Sequence, residues 1–259
     1  MQSIVVASDL SERSRPAVHR AVNLAIALDA QLTILNVVNN SVPDDLARQV
    51  QVGARAILAE QVTEDIGDRT LEYFIDVIVG DPIAEVGSTI TKAKADLLIV
   101  GRHRRRTFLD QIRETTMEHF IRASDIPVLL VTKTGDTPYG NVLCGIDLSP
   151  VCTAALKVLP TVAPGADLVL FHAHEASFGK EARRDFDTWK TVHPVPRNLP
   201  DPVFVEAKAR DALDDLMRQG SYDLLAIGGH TRATGGSYFI GKFTADLIRN
   251  PHCDLLIGK

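Results

Sequence analysis

Aromatic residues are scarce, at 5% of the chain with a single tryptophan. A core without them rests on Ala, Val, Ile and Leu, which favours helices packed on buried strands over an aromatic binding platform. Cysteine is also scarce. Cys144, Cys152 and Cys253 are odd in number and form no Cys-x-x-Cys pair. A disulfide framework is therefore not expected, and a cytoplasmic protein is. No apolar run reaches the roughly 18 residues of a membrane-spanning helix. The amino-terminal run Met1–Ala7 enters a strand-like segment with no basic leader and no signal-type apolar region. Positive charge is not in excess: the net charge of -5 supplies no global attraction for nucleic acid. What remains is ordinary for a globular chain, with 45% apolar and 24% charged residues, enough to argue against disorder. The 259 residues allow one large domain or two small ones.

Internal repetition decides between them. Ile4–Ser11 resembles Val142–Ser149 at an offset of 138, and both segments end in Asp-Leu-Ser. Asp96–His103 resembles Asp223–His230, and Ile121–Val131 resembles Ile248–Gly258, both at an offset of 127. Three matches in the same order imply a duplication, with the second copy shortened between its first and fourth strands. The expected organisation is a first domain over residues 1–133, a linker over 134–140 rich in Thr, Gly, Asp and Pro, and a shortened second domain over 141–259.

Each half alternates strand and helix patterns, which argues for a doubly wound α/β sheet. In the first half strands are expected at Ile4–Ser8, Gln31–Val38, Leu71–Val79, Asp96–Gly101 and Pro127–Thr132. Helices are expected at Ser14–Leu28, Asp44–Asp65, Pro82–Ala93 and Phe108–Ala123. In the second half strands are expected at Val142–Ile146, Asp167–His172, Pro202–Glu206, Asp223–Gly228 and Cys253–Gly258. Helices are expected near Pro150–Val162, Ala207–Gln219 and Gly236–Arg249. Pro194, Pro196 and Pro200 leave room for at most a short helix before Pro194. The apolar strands suit a parallel sheet covered on both faces.

Ligands of such sheets bind beyond the carboxyl ends of the strands. There each half gathers three elements: Asp9 or Asp147 after strand one; Asn36-Val37-Val38 or His172-Ala173-His174 at the end of strand two; and a loop after strand four. That loop runs from Gly101 through Arg104 to Glu114, Thr115 and Thr116 in the first half. In the second it runs from Gly228 through His230 and Thr231 to Gly241, Lys242 and Phe243.

With these elements, Gly80-Asp81-Pro82 and the closing run Ile126–Val131, the chain resembles the universal stress protein family in its tandem two-domain form. The resemblance covers nearly the whole chain. It implies two tandem Rossmann-like, adenine-nucleotide α-hydrolase-like folds. Each is a five-stranded, mostly parallel sheet, and the halves pack as a pseudo-dimer through their last strands. It also implies a role in survival under stress, an ATP or other adenine nucleotide ligand with Mg²⁺ when that ligand is ATP, and pairing of two chains. Asp147 and Ala173 would flank adenine and ribose in the second half, as Asp9 and Val37 would in the first. Nucleotide-binding members carry a loop G-x-x-G-x(9)-G-[ST], whose glycines admit phosphate to backbone N–H groups. Here Gly101 is kept, but Arg104 and Glu114 replace the next two glycines and Thr115 keeps the hydroxyl. A glutamate at that place would repel phosphate. In the second half Gly228 and Gly241 are kept, Thr231 replaces the middle glycine, and Lys242 replaces the hydroxyl residue while offering a positive charge. The second site departs less, so it is the expected nucleotide site.

Other features read more plainly. The four arginines among residues 102–106 could clamp an anion, but a solvated face paired with Asp110, Glu114 or Glu118 is preferred. His172 and His174, with Glu175, have the side-by-side placement of metal ligands but no third ligand at suitable spacing. His103 and His230 could meet a ligand or merely bond loop backbone. The cysteines read as buried, inert thiols. Ser11 and Ser149 suit helix N-capping rather than nucleophilic attack, and no catalytic constellation is visible. A binding or signalling module is expected ahead of a weak ATPase using the second site, or a nucleotide-free scaffold for another small molecule or a protein. Nucleic-acid binding is not expected, because the arginines lack interleaved aromatic residues.

Overall fold

The computed structural model describes residues 1–102, 116–135, 137–174, 179–196, 198–229, 231–234 and 237–259. The chain divides into two compact units, residues 1–136 and 137–259. The Arg104–Arg106 cluster, His103, Thr115, Glu175 and His230 lie outside the described residues.

Unit 1 runs β1 (Ser3–Ala7), α1 (Arg15–Leu28), β2 (Gln31–Asn39), α2 (Asp44–Ile66), β3 (Tyr73–Gly80), α3 (Pro82–Ala93), β4 (Leu97–Gly101), α4 (Thr116–Ala123) and β5 (Val128–Val131). Its strands stand in the order β3-β2-β1-β4-β5, and every pair is parallel. Ile4, Val5 and Val6 of β1 and Leu97 to Val100 of β4 are wholly buried. That is why these strands read as continuous apolar runs rather than alternating ones. The Gly80-Asp81-Pro82 motif starts α3: Asp81 Oδ1 accepts from the N–H groups of Ile83 and Ala84 at 3.0 and 2.9 Å, and Pro82 takes the first helical position.

Unit 2 runs β6 (Asn141–Gly145), α5 (Cys152–Val162), β7 (Asp167–His174), α6 (Gly179–Val192), β8 (Val203–Glu206), α7 (Ala209–Gln219), β9 (Leu224–Gly228), β10 (Thr231–Thr234), β11 (Ser237–Ile240), α8 (Lys242–Arg249) and β12 (Asp254–Gly258). Its strand order, β8-β7-β6-β9-β12, repeats that of unit 1 and is again all parallel. Strand β8 has 4 residues where β3 has 8, and α6 has 14 where α2 has 23. The shortening of the second copy is concentrated in these two elements.

The aspartate preceding strand four has one task in both units. Asp96 Oδ2 accepts from the N–H groups of Gln2 and Ser3 at 2.6 and 3.1 Å. Asp223 accepts from Gly140 and Asn141 at 2.7 and 3.1 Å. Each carboxylate pairs two N–H groups where strand one begins, at the end of the sheet remote from the candidate site.

Three expectations are corrected. Helix α6 is not short: it keeps four turns because its prolines all lie beyond Val192, and Phe186 and Trp189 bury one of its faces. The last helix begins at Lys242 rather than near Gly236, because residues 237–240 form strand β11, paired antiparallel with β10 over residues 231–234. Ser11 and Ser149 do not cap α1 and α5, whose N-cap positions are Ser14 and Val151. Both serines belong to the preceding turn.

Candidate functional site

The registers bring the expected residues to one edge of each sheet. In unit 1 Ala7 pairs with Leu35 and with Val100, so the residues after β1 stand level with the ends of β2 and β4. Asp9, Val37 and Gly101 thus share the carboxyl edge of three adjacent strands. In unit 2 Gly145 pairs with Phe171 and Cys144 with Ala226, which sets Asp147, Ala173 and Gly228 along the equivalent edge. In both units the strand order reverses direction between the first and fourth strands, the place where sheets of this type open a crevice.

The loops after β1 and β6 share three hydrogen bonds. Ser11 N–H donates to Asp9 Oδ1 at 3.0 Å, and Ser149 N–H to Asp147 Oδ1 at 3.1 Å. The leucine between them is left-handed in both loops, with φ of 62° at Leu10 and 60° at Leu148. A side chain at the first helix donates to the serine carbonyl: Ser14 Oγ to Ser11 at 2.9 Å, and Cys152 Sγ to Ser149 at 3.0 Å. From strand two, Asn36 Nδ2 donates to the carbonyl of Ser8, and His172 Nδ1 to that of Ile146, each at 2.8 Å. Sequence reasoning missed these last two donors, although both lie at matching places of the repeat. Asp9 and Asp147 themselves are exposed at the crevice.

Gly101 and Gly228 serve packing. A Cβ on Gly101 would lie 2.6 Å from the Arg13 carbonyl oxygen, and one on Gly228 would lie 3.0 Å from the Cys152 Cα. The start of the first helix therefore rests on this glycine in each unit. Gly241 differs. It has a φ of -58°, no atoms of the described residues crowd the space a Cβ would take, and it precedes α8 without a side-chain cap. A helix joining parallel strands starts at their carboxyl edge, so the first N–H groups of α8 lie on the site's side of the sheet. Lys242, its first residue, is exposed and Phe243 is half-buried. Thr231 opens β10 and Thr116 opens α4; Arg104 and Thr115 fall among the residues left undescribed.

Unit 2 also holds a run of rings that the chain's overall aromatic content of 5% hides. His174 stacks on His172, Phe204 meets His172 and Phe186 edge-on, and Phe186 stacks on Trp189, with ring centroids 6.0 to 6.5 Å apart. The Trp189 indole N–H reaches the Ser149 carbonyl at 3.3 Å. Among the described residues no three His, Cys, Asp or Glu side chains gather as for a metal ion. None of the three cysteines is in a disulfide, and all three are buried. Burial, with the Asp147 carboxylate nearby, pushes the Cys152 thiol up to about 12, so it stays protonated. Burial raises Cys144 further still.

Two five-stranded parallel sheets of identical order, each with an exposed aspartate at the switch point, define a duplicated doubly wound α/β protein. The profile of the universal stress protein family matches residues 1–132, and the chain belongs to that family. The stress response protein NhaX of Bacillus subtilis (strain 168) is 25% identical over 160 residues, which span 49% of this chain and 96% of NhaX. A universal stress protein of Archaeoglobus fulgidus DSM 4304 shares the fold with a TM-score of 0.79 at 16% identity, covering 99% of this chain and 96% of its own. A functionally unknown protein of Pseudomonas aeruginosa PAO1 does so with a TM-score of 0.71 at 16% identity, covering 100% and 92%. Among the described residues no helix is long and apolar enough to cross a membrane.

Proposed function

We propose that this chain is a cytoplasmic two-domain stress-response binding module that takes an adenine nucleotide in its second half in preference to its first. The observation that carries the reading is the start of α8. It is without a side-chain cap, no described residue crowds the space at Gly241 before it, and Lys242 adds a positive charge, which together suit a phosphate. Asp147 and Ala173 stand at the same strand edge for ribose and adenine. With ATP, Mg²⁺ would neutralise part of the phosphate charge. In the first half the sequence puts Glu114 where the nucleotide-binding pattern has a glycine, and a carboxylate at that place would oppose an anion. The module binds rather than turns over its ligand, and two chains associate.

Native mass spectrometry of the purified chain, followed by titration with ATP, ADP and AMP with and without Mg²⁺, tests this. The expected result is one nucleotide per chain, and Lys242→Ala weakening ATP more than AMP. Two nucleotides per chain, or equal affinity in the Lys242→Ala variant, contradicts it.

One observation favours a second reading. Residues 231–234 pair antiparallel with 237–240 where the family pattern has an open phosphate loop, which suits a nucleotide-free scaffold that binds another small molecule or a protein. Thermal stability unaltered by any of the three nucleotides would support that reading.

A further inference from the structure

The structure assigns Asn36 and His172 the same task. Each holds the carbonyl at the end of its unit's first strand, and so fixes the aspartate that follows at the crevice. This rests on reading the strand-edge crevices as binding sites.

The two residues differ in chemistry, yet their geometry coincides. In unit 1 Asn36 Nδ2 donates to Ser8 O at 2.8 Å; in unit 2 His172 Nδ1 donates to Ile146 O at 2.8 Å. Both donors are nitrogens at the δ position, one bond beyond Cγ, so the two side chains have the same reach. Their backbones also match. Ser8 N–H donates to Leu35 O, and Ile146 N–H to Phe171 O, at 2.9 and 3.0 Å, immediately before the residue in question.

The held carbonyl is half of the peptide group that leads into the aspartate. That group is planar, so fixing its oxygen fixes the direction in which the aspartate backbone leaves the strand. The following leucine needs such support. Its left-handed φ is unfavourable for a residue with a Cβ, and the turn stays in place only where neighbouring bonds determine it. Ser8 and Ile146 are both buried, so a carbonyl that loses its donor there is costly to leave unpaired.

The same bond settles the tautomer of His172. A carbonyl only accepts, so Nδ1 carries hydrogen. The ring is further steadied by the edge of Phe204 and by His174. His172 is thus a positioning residue, and its Nδ1 is not available to a metal.

The test uses the full chain with His172→Asn, His172→Ala and His172→Phe, each checked for folding by circular dichroism. Amide hydrogen exchange at Ser149 without ligand reads the loop directly, and ATP affinity by calorimetry reads the site. His172→Ala and His172→Phe are expected to speed exchange at Ser149 and to weaken ATP, each by about tenfold, the scale of one lost buried hydrogen bond. His172→Asn is expected to restore both, because Asn36 does this work in the other half. A His172→Asn variant that behaves like His172→Ala overturns the assignment. So does a His172→Ala variant with exchange or affinity unchanged. Wild-type chain that binds no adenine nucleotide sinks the proposed function alone, and the exchange comparison then decides whether His172 holds the loop.

Discussion

Tyr139 donates its phenolic hydrogen to Asp254 Oδ2 across 2.7 Å, and both residues are buried. The segment expected as a free linker thus anchors itself on the last strand, at the aspartate that follows Cys253. Tyr139→Phe keeps the ring but removes the donor from a buried carboxylate oxygen. The expected loss is about 1–3 kcal/mol of stability, read as a lower urea midpoint with an unchanged slope.

The seam between α1 and α2 depends on Asp65. Its carboxylate, with 3% of the side chain exposed, accepts from Arg15 at 2.5 and 2.7 Å and from His19 Nδ1 at 2.7 Å. Asn23 then bonds His19 Nε2 at 2.9 Å, and Arg69 donates to Asn23 Oδ1 at 2.8 Å. The hydrogen bond to Asp65 raises the Arg15 guanidinium above its ordinary range. Removing the buried carboxylate leaves the partly exposed Arg15 and His19 without their shared acceptor. Asp65→Ala is expected to cost about 3 kcal/mol, and thermal unfolding should show the loss.

Leu10 and Leu148 invert the usual ranking of alanine over glycine. At φ near 60° glycine carries no Cβ penalty. Leu148→Gly should therefore be more stable than Leu148→Ala by about 1 kcal/mol, and the same order should hold at Leu10. Both variants lose the same leucine packing, so their difference in chemical denaturation isolates the backbone.

The buried thiols set an alkaline limit. The folded Cys152 thiol is raised to about 12 by burial and by Asp147. The folded state therefore holds that proton more tightly than the unfolded state does. Stability should stay level below the ordinary thiol range near pH 8.5 and decline as pH climbs from there toward 12. Cys152→Ser should flatten part of that decline. Native Cys144 and Cys152 should resist a thiol reagent at pH 8 and react once the chain is unfolded.

Much of the fold was legible in the residues. Unbroken apolar runs such as Ile4-Val5-Val6 and Leu97-Leu98-Ile99-Val100 marked doubly covered strands, and the repeated Asp-Leu-Ser marked two equivalent crevices. The pairing of residues 231–234 with 237–240 was not legible: Thr-Arg-Ala-Thr and Ser-Tyr-Phe-Ile are short, and a helix pattern could absorb them. The length of α6 was misread because its prolines were weighed without knowing where the chain turns. The packing of the first helix against Gly101 and Gly228 was not legible either. Close approach of backbone to backbone leaves no trace in a single sequence beyond the glycine itself.

By itself the sequence determined the period of the chain, the order of the ten parallel strands, and the residues that face the strand ends. Those follow from hydrophobic spacing and local backbone preference, which are properties of neighbouring residues. Only the tertiary structure decided that Asn36 and His172 hold equivalent carbonyls, that Tyr139 belongs to Asp254, and that Asp65 ties α2 to α1. These bonds join residues 28, 26, 115 and 50 positions apart. Their partners meet only after the parallel sheet has set the register of its strands.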